Sequence, residues 1–302
     1  MDGCIILEDM MAQMTWSDQQ GSQQYPGQRG GRFRRWRQMS LILLLATLTS
    51  SGFQIAARAD DGDAWSDLHT LIFADKPIKD ASAFLQLEAP KRAYDAAVVP
   101  LEIKFDRQKM GNLVVQDITL VIDKNPAPVA AVFHLAADIP DPSIGTRVRV
   151  NEYTYIHAVV LMTDGQLYMS KVFVKAAGGC SAPASKAPDS ASSHIGDMRV
   201  KMAEAATIGE PARVQLLIHH PNFSGMQMDQ VTRYYIPAKF IQKATISYGD
   251  KPLMTIEGNI SLSENPFFEF SFLPEKSAEL DVMAADSDGA NFHHKWPLPP
   301  TT

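Results

Sequence analysis

Tyr155–Lys175 reads YIHAVVLMTDGQLYMSKVFVK. Tyr155 and Val159 lie in a long apolar run that continues to Met162. Asp164-Gly165 then supplies a turn, and Leu167–Lys175 returns. Two β-rich runs around an Asp-Gly pair specify an antiparallel hairpin. The same period of two extends upstream. Val99, Leu101, Ile103 and Phe105 alternate with Pro100, Glu102 and Lys104; Val114, Ile118, Leu120 and Ile122 continue the pattern; Val148 and Val150 alternate with Arg147 and Arg149. Downstream, Val214, Leu216 and Ile218 alternate with Arg213 and Gln215. Ala244–Tyr248 and Leu253–Ile260 flank Gly249-Asp250, Phe268, Phe270 and Phe272 form one face, and Leu280, Val282 and Ala284 lead through Asp288-Gly289 to Phe292, His294 and Trp296. Short strands with frequent turns predict an all-β chain of two tandem immunoglobulin-like β-sandwich domains. Trp65, Leu68 and Ile72 recur at helical spacing and predict one short N-terminal helix over Trp65–Phe73.

Between the two β regions, residues 181–197 read SAPASKAPDSASSHIGD. Pro, Ser and Ala dominate, and such a composition buries too little apolar surface to offset chain entropy. It is expected to be a flexible linker between a first domain, 60–180, and a second, 198–302. At the other end of the chain, Arg32, Arg34, Arg35 and Arg37 precede an apolar run from Leu41 to Leu48, followed by Ala57-Arg58-Ala59. The run is shorter than the ~20 residues a membrane span needs. Basic, apolar and small-residue segments in that order predict a secretory signal peptide over 1–59, by a Sec-type route more than a twin-arginine one. The protein is then expected in the periplasm, with no stable membrane span after cleavage.

The 302 residues carry 28 Lys+Arg and 34 Asp+Glu, a formal net charge of -6, which excludes the electrostatic footprint of a duplex nucleic-acid binder. No Gly-rich phosphate loop, Ser nucleophile motif or HExxH occurs. Only Cys4 and Cys180 are present, too far apart for a CxxC motif. Cleavage after Ala59 removes Cys4 and leaves Cys180 as the sole thiol. It sits in Lys175-Ala176-Ala177-Gly178-Gly179-Cys180-Ser181, after the last strand of the first domain. Gly178 and Gly179 lack side-chain bulk and permit positive φ. The segment is therefore expected to be a flexible arm with a solvent-accessible thiol, Lys175 and Lys186 being the nearest cations in sequence. A small buried hydrophobe at a domain edge is the alternative.

Lys175–Cys180 resembles the arm of SoxY, the sulfur-carrying subunit of SoxYZ. Val98-Val99-Pro100, Asn125-Pro126-Ala127-Pro128 and Thr146-Arg147-Val148-Arg149 match the same family. His220-Pro221-Asn222-Phe223-Ser224-Gly225, Ile236-Pro237-Ala238 and Glu264-Asn265-Pro266 resemble SoxZ. The chain thus resembles a fused SoxYZ-like carrier, of the type associated with quinoprotein (PQQ-dependent) dehydrogenases. The resemblance implies that Cys180 is the covalent attachment site for a sulfur adduct, with no other cofactor. It also implies that the two domains pair within the chain. Partners would be periplasmic sulfur-metabolising enzymes or a PQQ-dependent dehydrogenase system. Unlike a terminal arm, this one is followed by Ser181-Ala182-Pro183 and a whole domain, so partners are expected to approach its linker edge.

Two other functions compete. One is a non-catalytic scaffold or accessory protein of a quinoprotein dehydrogenase, with Cys180 incidental. The other is a copper-binding protein using His220, Met226 and Met228, since imidazole and thioether suit copper. Tyr234, Tyr235 and Arg233 are candidates for an interface.

Overall fold

The computed structural model describes residues 64–183, 194–202 and 206–298. The expected signal peptide (1–59) and positions 184–193 of the expected linker lie outside the described residues.

Helix α1 (Ala64–Phe73) is followed by β1 (Ile78–Asp80), β2 (Leu85–Glu88) and β3 (Val99–Phe105). A one-turn helix, α2 (Arg107–Met110), which carried no periodic signal, precedes β4 (Val115–Ile122), β5 (Val129–Leu135), β6 (Ile144–Val148), β7 (Thr154–Met162) and β8 (Leu167–Val174). The second half contributes β9 (Met198–Met202), β10 (Ala212–Ile218), β11 (Ile241–Tyr248), β12 (Lys251–Gly258), β13 (Phe267–Phe272), β14 (Ala278–Asp286) and β15 (Asn291–Leu298). The fold is all-β, as alternation predicts. Val99, Leu101 and Ile103 face inward while Pro100 and Glu102 face water. Gly165, Gly249 and Gly289 hold positive φ at the three hairpin turns.

The strands form two sheets, ordered β1-β8-β7-β4-β5-β12-β11-β14-β15 and β2-β3-β6-β13-β10-β9. Each half contributes to both layers, giving the expected sandwich-like pair of domains. The halves do more than pack, however. In one sheet β5 pairs antiparallel with β12, from Met254↔Leu135 to Gly258↔Ala131. In the other, β13 pairs with β6 at Phe268↔Thr146 and Glu269↔Gly145. Both sheets therefore run unbroken across the domain junction, and one apolar core fills the space between them from Ala81 to Leu298. Phe133 of β5 meets Phe268 of β13 edge-on, with ring centroids 6.1 Å apart.

Helix α1 lies on the outer face of the longer sheet. Its Phe73 joins Val121, Val159 and Leu167 in a small second cluster, with Trp65, Leu68 and Ile72 packed around it. Trp65 stacks on buried His157 at 3.8 Å, and His157 Nε2 contacts Asp123. Ala74 and Asp75 adopt positive φ and end the helix. Among the described residues, no helix is long and apolar enough to cross a membrane.

Candidate functional site

The arm leaves β8 at Val174. Lys175 keeps a parallel bridge to Arg92, and its N–H donates to Lys91 O at 3.0 Å. The chain then runs against the backbone that follows β6. Gly178 N–H donates to Asn151 O at 2.8 Å, and Gly179 N–H donates to Val150 O at 3.0 Å. The two glycines have different reasons to be there. Gly178 has φ +80° with open space around it, so only its backbone conformation demands glycine. A Cβ on Gly179 would lie 2.0 Å from Ala96 O and 2.7 Å from Val150 O, so the close approach of two main chains demands it. A pair that reads as loosening the arm is, at Gly179, what lets it seat.

Cys180 is fully buried, with none of its surface exposed. This corrects the expectation of an accessible thiol. The cover comes from the second half. Ser224 Oγ–H donates to Cys180 O, and Gln227 Nε2–H donates to Ala182 O at 2.9 Å. Ser224 N–H donates in turn to Gln227 Oε1, which fixes the two side chains relative to each other. Burial pushes the Cys180 thiol up to about 11, against the pull of the Arg149 guanidinium. The thiol is therefore protonated at neutral pH while the arm is seated.

Among the described residues, Arg149 is the largest fully buried side chain. Its Nη1 donates to Gly179 O at 3.2 Å and its Nη2 to Asn222 O at 3.3 Å, so one guanidinium bridges the arm and the second half. Its Nε has no hydrogen-bond partner. Burial lowers its pKa, opposed by attraction to Cys180 and more weakly to Glu264 and Asp95. The sequence suggests Lys175 and Lys186 as the thiol's cations; Lys186 lies outside the described residues, and among those described it is Arg149 that acts on the thiol. Alternation with Val148 and Val150 puts Arg149 outward on a solvated strand. The second half covers that face, through Arg149 N–H to Ser261 O (2.8 Å) and Asn125 Nδ2 to both Arg149 O (2.8 Å) and Ser261 Oγ (2.9 Å).

The quoted motifs converge here. Asn125 and Arg149 come from the first half. From the second come Asn222 and Ser224, with Asn265 N–H donating to His220 O at 2.8 Å. Asn222, at φ 47°, donates through Nδ2 to Leu262 O and accepts Ile241 N–H at Oδ1. Ser224 was visible in the SoxZ-like motif as a match; Gln227 lay just beyond it and carried no sequence signal.

The copper candidates are placed differently. His220 is buried: its Nδ1 accepts Asn222 N–H at 3.1 Å, and its Nε2 lies 3.5 Å from Asp286 Oδ2. Burial lowers its pKa against the charge of Asp286. Met228 is partly exposed beside its bridge partner Tyr235, and Met226 N–H donates to Ser224 Oγ. Among the described residues, no group of three or more His, Cys, Asp or Glu is arranged to hold a metal ion. Tyr234 and Tyr235 are exposed on the turn beyond Gln227.

Among the described residues, the one free thiol is carried on a clasped arm at the seam between the two halves of the sandwich. Residues 69–180 match the family of sulfur oxidation protein SoxY, and residues 198–297 match that of sulphur oxidation protein SoxZ. The chain belongs to the SoxY–SoxZ sulfur-oxidation carrier family, with both members fused in that order. No curated protein sequence matches it. Among solved structures, the sulfur carrier protein SoxY from Chlorobium limicola f thiosulfatophilum is 24% identical, over 39% of this chain and 96% of its own, with a TM-score of 0.33. Red sea bream transglutaminase is 9% identical, over 72% of this chain and 31% of its own, with a TM-score of 0.21. A beta-glycosidase from Bacteroides vulgatus is 9% identical, over 79% and 26%, also at 0.21. The family assignment rests on the two sequence families, not on these structural likenesses.

Proposed function

We propose that the protein is a non-catalytic, thiol-based carrier of sulfur oxidation, exported to the periplasm, with Cys180 as the covalent attachment site. The observation that carries this reading is the position of the thiol. The SoxY match ends on Cys180, at the head of an arm that SoxZ-type residues clasp by side-chain hydrogen bonds to its carbonyls. Hydrogen bonds of this kind are individually weak enough to break and re-form. Release of Ser224 and Gln227 returns the thiol to water, where its pKa falls toward the ordinary ≈ 8.5 and thiolate becomes available for loading. Re-seating protects the cargo from stray thiols. The sulfur-handling enzymes served by such a carrier approach at the seam, because the arm is tethered at both ends.

Intact-mass analysis of protein isolated from the periplasm, with and without reductant, tests the reading. A reducible mass increment confined to Cys180 is expected, and Cys180→Ser should abolish function. A second reading, an accessory protein of a PQQ-dependent dehydrogenase, is favoured by the burial of Cys180. Full function of Cys180→Ser, with no adduct on the wild type, would establish it in place of the carrier.

A further inference from the structure

Arg149 carries a buried positive charge on which Glu264 and Asp95 act without pairing directly. It makes no ion pair among the described residues, and its two hydrogen bonds go to neutral carbonyls, Gly179 O and Asn222 O. Its Nε is left without a partner. A buried charge of this kind is costly unless something opposite in sign arrives. A negative charge at Cys180 would attract the guanidinium more strongly than Glu264 or Asp95 does. Yet the seated thiol is neutral at physiological pH. The unloaded arm therefore leaves the guanidinium with only the weaker pull of Glu264 and Asp95, while it holds the carbonyl of the residue that precedes the attachment site.

We propose that Arg149 is a charge-reading positioning residue for the carrier: a group on Cys180 that ends in an anion, such as an oxygenated sulfur terminus, is held at the seat by the guanidinium, while a neutral or cationic group of similar length is held less well. The proposal rests on reading Cys180 as the attachment site, and it couples the state of the cargo to the position of the arm. An arm bearing an anion stays seated and protected. Conversion of the cargo to a neutral group, or its removal, loosens the arm.

The test uses the full chain carrying Cys4→Ser, so that Cys180 is its one thiol, with adducts placed chemically, and it stands apart from whether the cell loads Cys180. Sulfonatoethyl, propyl and trimethylammonioethyl methanethiosulfonates are applied in urea and the protein is refolded. In each case the Cys180 thiolate forms a new Sγ–S bond, methanesulfinate leaves with the electron pair of the broken bond, and the thiol proton passes to buffer. Intact mass verifies loading. Seating is read from hydrogen exchange at the amides of Gly178 and Gly179, which donate to Asn151 O and Val150 O when the arm is docked. The sulfonate form should exchange at least about tenfold more slowly than the ammonium form, the neutral form falling between, by the sign of a unit-charge interaction at short range. In Arg149→Gln the order should vanish, and in Arg149→Lys it should persist in weaker form. Equal exchange of the three wild-type adducts overturns the proposal, even if Arg149→Gln does not fold. So does a charge order that survives in Arg149→Gln, or a sulfonate form that alone fails to refold.

Discussion

Removing the clasp should open the arm without unfolding the protein. In Ser224→Ala/Gln227→Ala, Cys180 O and Ala182 O lose their side-chain donors. Each neutral hydrogen bond contributes about 0.5–1.5 kcal/mol, so the pair should shift the seating equilibrium by about 1–3 kcal/mol, or roughly 5- to 150-fold. The assay is alkylation of Cys180 by iodoacetamide at about pH 7.5. A free thiol with pKa ≈ 8.5 is about one-tenth thiolate there, whereas a thiol held at about 11 is only roughly three parts in ten thousand. Open molecules thus react some 300-fold faster by ionisation alone, before access is counted. The observed rate should follow the open population and rise in the variant by the same roughly 5- to 150-fold, with the thermal midpoint little changed. A variant that stays folded and reacts at the wild-type rate would refute the clasp. Wild-type protein reacting as fast as a free cysteine would refute the seated arm itself.

Gly179→Ala should also release the arm, because its Cβ would meet main-chain oxygens that cannot step aside, whereas Gly178→Ala should cost only the ~1–2 kcal/mol of a left-handed non-glycine residue; alkylation rates would rank the two. Phe268→Ala, at the seam against Phe133, should lose about 3–5 kcal/mol in urea unfolding, and as the core is shared the transition should stay single. His220 and His134 should tilt the pH dependence of stability in opposite senses. Burial holds His220 below its usual value, so the unfolded chain takes up its proton first, and this stability drains as pH falls below about 6.5. Asp117 holds His134 above its usual value, so its contribution is full below about 6.5 and is lost as pH rises through the folded value. Thermal midpoints from about pH 5 to 8 should show a flatter acid limb for His220→Gln and a relative loss at acid pH for His134→Gln; equal profiles would contradict both assignments.

Alternation made most strands legible. β3, β10, β13 and β14 bury the residues that the period of two selects, and the Asp-Gly and Gly-Asp pairs fall on observed turns. Strand partnership was not legible, because Val132 and Glu257 pair across the seam with nothing in either local pattern to say so. The site was legible only in part. Cys180 stands out by composition, but glycine has two uses, conformational freedom and close approach, and sequence does not separate them at Gly179. Arg149 was hidden for a related reason. A charge on an alternating strand reads as solvated until a distant segment, here residues 222 and 261, is known to cover it.

The unbroken sheets bear on how the chain assembles. The first half is made first, and until the second half follows, β5 and β6 present open edges on both layers of an apolar sandwich. Exposed edges of this kind recruit strands from other molecules. The natural covers, β12 and β13, arrive more than a hundred residues later, as the chain order dictates. Joining both halves in one polypeptide keeps those covers at high local concentration, so that capping the edges competes well against intermolecular pairing. Two separate subunits would have to find each other by diffusion while the sticky edges stood open; in the fused chain the first half carries its own protector in tow.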